Sequence, residues 1–290
     1  MYSGSKNVNW LLLASEPVII KNDEYSAHES YDSVFWHVID VWWQKPHAVN
    51  KRLTGAVIIQ SETDDDKCFS KDVDDNCCSI NNDACEEIDL KSVMVRKLVP
   101  KRSDKFSASK ETAHKDKHNL EVSYFPEKYS CTTDVASSLL SCHVTTPYKI
   151  KLAAQDHSRS SWSLNIFSVN QDGAEDNANW LKTVLLPRLA RWFRNADPKL
   201  KIQETQRLIS VERFTEVYQH LKKKYGKKLV EIWPERTDPS KFVYEDVAIA
   251  SYLMVLWESE PKKNVKKQSF ADLGCGNGLL CHLLGSEEVI

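Results

Sequence analysis

The residues whose types and spacing most suggest chemistry are Asp272, Gly274, Gly276 and Gly278, in the stretch SFADLGCGNGLLCHLLG. Four of the eight glycines, Gly274, Gly276, Gly278 and Gly285, fall in this short span. An apolar run that ends in an acid, alternate glycines, then a helix-like apolar repeat reads as strand, turn and helix. That unit opens nucleotide-binding α/β sheets. Glycines let the backbone turn tightly and approach a ligand where a Cβ would collide, and the helix start offers unpaired N–H groups. Two common ligand patterns fail. The dinucleotide fingerprint needs its third glycine at position 279, which is Leu279, and Asn277-Gly278-Leu279 lacks the Lys-Ser/Thr of a phosphate loop. What remains is D-x-G-x-G-x-G, or else an ordinary glycine-rich turn with no ligand.

The elements that must position this turn lie upstream. Residues 32–43 predict a helix, with Val34, Phe35, Val38, Val41 and Trp42 on one face, Asp32 as its cap and Pro46 beyond its end. Trp36 and Trp43 fall off that face, which predicts burial on more than one side. The segments 54–60, 93–99, 120–125, 147–153 and 161–168 read as strands. From residue 177 onward helices dominate. The first should kink or split at Pro187. The second runs from the Ser210 cap to Gly226, expected to close it in a left-handed turn, with Phe214, Val217, Tyr218, Leu221 and Tyr225 on one face. A third spans about 244–258. The fold class is therefore α+β: a mixed region over 1–176, a helical segment over 177–260, and over 266–290 the first strand–turn–helix of a Rossmann-like domain.

Charge is unevenly spread within a total of −2. Residues 61–89 carry eleven acids and two lysines, with few large apolar side chains to offset chain entropy, and read as a disordered insertion. Residues 100–118 read as a second polar linker. Residues 182–228 carry thirteen Lys or Arg against four acids. No apolar stretch reaches the roughly 20 residues of a membrane span. With no export signal, the eight cysteines are expected as reduced thiols; a metal site in the Cys68–Cys85 cluster is the less favoured reading, and no metal is expected.

The D-x-G-x-G-x-G string resembles motif I of class I S-adenosylmethionine-dependent methyltransferases. Upstream, WPERTDPSKFVYEDVAIASYLMVLWE (233–258) followed by FADLGCGNGLL is similar to the tRNA (uracil-2'-O-)-methyltransferase family. The resemblance covers about residues 228–284. It implies S-adenosylmethionine as cofactor, held by Asp272, Gly274, Gly276 and Gly278, with Tyr244, Glu245 and Asp246 as further pocket candidates. Glu245 and Asp246 would equally suit a helix first turn through its dipole. It further implies serine tRNA as substrate, a uridine ribose hydroxyl as methyl acceptor and a cytoplasmic setting. Lys222, Lys223, Lys224, Lys227 and Lys228, with Arg188, Arg191 and Arg194 on the previous helix, are the candidate RNA contacts; a solvated basic face is the alternative. The family would continue past Ile290 through the rest of its sheet. This implies a truncated form without a catalytic base, inactive alone, or a binding module for RNA or protein.

Overall fold

In a computed structural model of the chain, the described residues are 8–19, 27–61, 92–128, 139–155, 161–169, 174–202, 208–260 and 269–287. Nine strands occur among them: β1 (Trp10–Val18), β2 (Leu53–Ser61), β3 (Ser92–Pro100), β4 (Phe106–Ser107), β5 (Ser109–Asp116), β6 (Glu121–Lys128), β7 (Leu140–Ser141), β8 (Tyr148–Ala154) and β9 (Trp162–Val169). The helices are α1 (Ala27–Gln44), α2 (Glu175–Trp180), α3 (Leu186–Asn195), α4 (Val211–Leu221), α5 (Lys227–Glu231), α6 (Pro239–Ser259) and α7 (Leu279–Ser286). Seven strands form one sheet in the order β1-β9-β8-β6-β5-β3-β2, antiparallel throughout. β4 and β7 form a short parallel pair. The fold is α+β.

The first core lies where α1 and α3 cover this sheet. Val34, Phe35, Val38, Ile39, Trp42 and Trp43 of α1 are buried, with Leu186, Leu189, Ala190 and Phe193 of α3 and Tyr124, Tyr148, Ile150, Leu164 and Ile166 of the strands. Two faces of α1 are thus engaged, as the stray tryptophans suggested. Ile39 takes the deep position expected for Val41, which is half-buried. Asp32 does not cap α1, because the helix begins a turn and more earlier, at Ala27.

A buried ionic network ties α1 to the sheet. Arg96 on β3 and Glu111 on β5 are fully buried. Arg96 Nε and Nη2 donate to Glu111 Oε2 at 2.8 and 2.5 Å. Arg96 Nη1 donates to the carbonyls of Trp42 and Trp43 at 2.9 and 2.6 Å, so it caps carbonyls that the end of α1 leaves without helical partners. Its guanidinium lies 5.0 and 4.4 Å from the Trp42 and Trp43 ring centroids. The Tyr148 hydroxyl donates to Glu111 Oε1 at 3.0 Å, and His143 Nε2 lies 3.3 Å from the same oxygen. Burial alone would raise the Glu111 carboxyl. Arg96, then His143, outweigh it and hold the pKa at about 2.

Four expectations require correction here. Residues 100–118 are not a linker: β5 occupies 109–116 and pairs on both sides, with β3 and β6. Its inward residues are Ser109, Glu111 and Ala113, polar or small, so hydrophobic alternation does not reveal it. Residues 10–18, not read as a strand, form edge strand β1 on β9. Gly226 does not end its helix in a left-handed turn. Its φ is −53°, and the chain continues through a π-helical turn at Lys222–Gly226 into α5. The glycine serves close packing, since a Cβ there would sit 2.7 Å from Tyr244 Cε1 on α6. Gly226→Val is therefore expected to lose about 1–3 kcal/mol through overpacking, read as a lower urea midpoint, with part recovered when Tyr244→Ala is added. Pro187 does not split its helix: the backbone stays helical from α2 through a π-helical turn at Leu181–Leu185 into α3, and Pro187 stands in the first turn of α3, just past that wider turn. The expected insertion at 61–89 lies outside the described residues except for Ser61, which ends β2, as does the Cys68–Cys85 cluster.

A second core joins α4, α6 and α7 through Val217, Leu221, Val243, Val247, Ala250, Val255, Leu279, Leu283 and Leu284. Asp238 caps α6 by accepting from the Ser240 N–H, with Pro239 in the first turn. Contacts between α4 and the sheet fix this helical layer to the β2 edge: Val211 packs on Gly55, Lys97 pairs with Glu212 at 2.5 Å, and Gln219 Nε2 donates to the Lys101 carbonyl.

Candidate functional site

The glycine turn is held from its helical side. Leu279, Leu283 and Leu284 bury α7 against the second core, and Phe270 meets Trp257 of α6 edge-on at 6.0 Å. Between these anchors the Asp272 Oδ1 accepts the Gly274 N–H at 3.0 Å. The Gly278 N–H bonds the Cys275 carbonyl at 2.7 Å. Asn277 Oδ1 accepts the Leu279 N–H at 3.1 Å, which satisfies one donor at the start of α7. Gly276 and Gly278 have φ of +54° and +76°, the left-handed region that a Cβ disfavours. Gly274 has neither a positive φ nor any neighbour within 4 Å of a built Cβ.

The turn and helix form as expected, and the strand before them does not: residues 269–272 have no strand pairing among the described residues. A strand exists only with a neighbour to share its ladder. Leu273, at the strand-end position, is fully exposed.

The acids converge. Asp246, half-buried on α6, has its carboxyl raised by burial and then by the negative charges of Glu245 and Asp272. The glycine turn and the middle of α6 therefore share one electrostatic environment, which favours a cation and opposes a pyrophosphate. Tyr244 points elsewhere, packing on Gly226 with Lys222 Nζ 4.8 Å from its ring centroid. Asn277, which fixes the helix start, was not singled out in the sequence; an Asn just before a helix is the signal for it.

The basic candidates do not form one patch. Arg188, Arg191 and Arg194 are exposed on α3, which packs on β1 and β9. Lys222, Lys223, Lys224, Lys227 and Lys228 continue from α4, which packs on β2 and β3. These are opposite edges of the seven-stranded sheet, roughly 30 Å apart at about 4.8 Å per strand. Within the lysine group, Lys224 pairs with Glu287 at 2.8 Å and Lys227 lies 3.8 Å from Glu231.

Comparison with known proteins shows what the chain is similar to. Residues 208–289 match the family described as "Predicted AdoMet-dependent methyltransferase". A "Probable tRNA (uracil-O(2)-)-methyltransferase" of Xenopus laevis is 33% identical over 285 residues, covering 87% of this chain and 41% of the relative. The protein of that name in Homo sapiens is 43% identical over 156 residues, 51% of this chain and 20% of the relative. A "tRNA (uracil-O(2)-)-methyltransferase" of Kluyveromyces lactis is 51% identical over 76 residues, 26% of this chain and 14% of its own length. The chain spans less than half the length of these relatives.

Proposed function

We propose that the chain belongs to the tRNA (uracil-O(2)-)-methyltransferase family, and that it forms the motif I side of an S-adenosylmethionine site in an enzyme that methylates a uridine ribose 2'-hydroxyl of serine tRNA. The observation that carries this reading is the left-handed turn at Gly276 and Gly278 beside Asp272, whose charge reaches Asp246. S-adenosylmethionine is cationic at its amine and sulfonium, and when bound it supplies an electrophilic methyl group. Asp272, Asp246 and Glu245 supply the opposing charge. Gly274, Gly276 and Gly278 leave open backbone for close approach. Such groups align a donor with an acceptor oxygen; the chain's own contribution is binding and orientation. A cytoplasmic setting accords with a tRNA substrate and with the exposed free thiol of Cys275. Among the described residues, no helix is long and apolar enough to cross a membrane.

Asp272→Ala is expected to weaken S-adenosylmethionine binding by about tenfold or more in titration calorimetry, the scale of one charge-assisted contact, while the melting temperature stays within about 2 °C. An unchanged affinity would remove the cofactor reading. A second reading is binding of RNA without methyl transfer, favoured by the open side of the turn, where Leu273 is fully exposed. Titration separates the two: S-adenosylmethionine binding that Asp272→Ala weakens supports the enzyme reading, and RNA binding by a chain that ignores S-adenosylmethionine supports the module.

A further inference from the structure

A cleft of about 370 Å³ lies where the helical layer meets the β2 edge of the sheet, away from the glycine turn. One wall comes from the sheet end: His47, Lys51, Leu53, Thr54 and Lys101. The other comes from Phe214, Thr215 and Tyr218 of α4 with Ala248 of α6. Its size is in the range of small-molecule pockets, about 300–1,000 Å³. Three features give it a chemistry. Phe214 and Tyr218, one helical turn apart, hold their rings nearly parallel, with centroids 6.1 Å apart and planes 19° apart. Lys51 and Lys101 are exposed, and no carboxylate lines the cleft among the described residues; Glu212, in the first turn of α4, is paired with Lys97. His47 lines the cavity; its Nδ1 is buried with no hydrogen-bond partner, and burial, then the charges of Lys45 and Lys51, lower its imidazole pKa.

We propose that this cleft binds single-stranded RNA, seating one unstacked nucleobase against Phe214 and Tyr218 with the flanking phosphates on Lys51 and Lys101. A flat aromatic pair inside a basic rim is how proteins hold unpaired nucleotides. An acidic peptide would use the lysines and leave the aromatic wall without a role. Lys222, whose Nζ lies 5.8 Å from the Tyr218 ring centroid, extends the track toward Lys223 and the lysine group beyond it. The proposal deepens the RNA part of the function proposed above, and it places first contact on this side of the molecule, away from the arginines of α3.

The test uses the full 290-residue chain and fluorescence anisotropy with three probes: an eight-nucleotide oligouridylate, an abasic ribose-phosphate chain of the same length, and an octaglutamate peptide. Tyr218→Ala is expected to weaken oligouridylate binding about tenfold, within the effect of losing one stacked base, and to leave the abasic chain unchanged; Tyr218→Phe is expected to bind as the parent does. Lys51→Glu with Lys101→Glu, both on exposed positions, is expected to weaken both nucleic-acid probes at least tenfold at low salt and less at high salt. A 4-thiouridine octamer is expected to crosslink within the peptide that contains Phe214 and Tyr218. The proposal is overturned if crosslinks fall only on α3, if the lysine pair changes nothing, or if octaglutamate binds as tightly as the oligouridylate. S-adenosylmethionine titrations on the same variants keep the two readings apart. Tyr218-dependent RNA binding in a chain that ignores S-adenosylmethionine would sink the methyltransferase reading alone; cofactor binding with Tyr218-independent RNA binding would sink the cleft alone.

Discussion

Arg96→Met is expected to destabilise the sheet domain by about 3–5 kcal/mol, the usual cost of leaving one member of a buried ion pair alone. Arg96 satisfies Glu111 through two nitrogens and the α1 carbonyls of Trp42 and Trp43 through a third. Methionine fills the space between the two indoles and satisfies none of these acceptors. Glu111 would remain fully buried with only Tyr148 and His143 beside it. At about 2–4 °C per kcal/mol for a domain of this size, the melting temperature should fall by roughly 10 °C. Arg96→Met combined with Glu111→Leu should be more stable than Arg96→Met alone, because the lone charge is gone. Acid denaturation gives an independent reading. Because the Glu111 carboxyl has a lower pKa folded than unfolded, the unfolded chain takes up the proton first as pH falls. Its stabilisation is thus fully present above about pH 4.5 and is lost toward about pH 2. Without Arg96 the folded carboxyl titrates higher, so the loss moves upward in pH. If Arg96→Met melts and acid-unfolds like the parent, the network does not hold α1 on the sheet.

The same network shows why part of the fold was hidden in the sequence. Strands β2, β3, β6, β8 and β9 and helices α1, α4 and α6 carry apolar periods that one-dimensional reading detects. Strand β5 reads SKETAHKD, and its central inward residue is a glutamate whose partner stands on β3. A pattern rule that expects apolar residues inside cannot see a buried charge neutralised from another strand. Strand β1 carries three successive leucines after Trp10, two of them exposed at the sheet edge, so alternation is blurred where one side has no neighbour. Gly226 misleads for a related reason. Glycine after a lysine run suggests a helix end, yet the constraint comes from Tyr244, eighteen residues later and on another helix. At the candidate site, the turn and α7 were legible because glycine spacing and apolar period are local. The split of the basic residues between two sheet edges was not, since it depends on strand order. Nor was the cleft: Phe214 and Tyr218 sit on the face that α4 presents to its core, and only the facing sheet end leaves room beside them.

Gly278→Ala and Gly276→Ala are expected to weaken S-adenosylmethionine binding about five- to thirtyfold, whereas Gly274→Ala should act through contact alone. The distinction rests on backbone angle. At +76° and +54°, an alanine costs about 1–2 kcal/mol in the left-handed region. Beyond the adjoining residues, no atom would lie within 4 Å of a Cβ at any of the three positions, so steric contact with the rest of the protein contributes nothing. The turn can escape the strain by relaxing, because one side is open and Leu273 is solvent-exposed. Global stability should therefore change little while the binding conformation becomes rarer, and that population loss appears directly as weaker affinity. Gly274 has an ordinary φ, so alanine there leaves the turn intact and weakens binding only if the ligand comes within contact of its Cα. Calorimetric titration of the three variants, with circular dichroism as the folding control, gives a pattern rather than one number. Losses at 276 and 278 that exceed any loss at 274 place the effect in backbone shape. Equal losses at all three would mean that crowding by the ligand dominates, and no loss at 276 and 278 would mean that the left-handed turn is not what the cofactor reads.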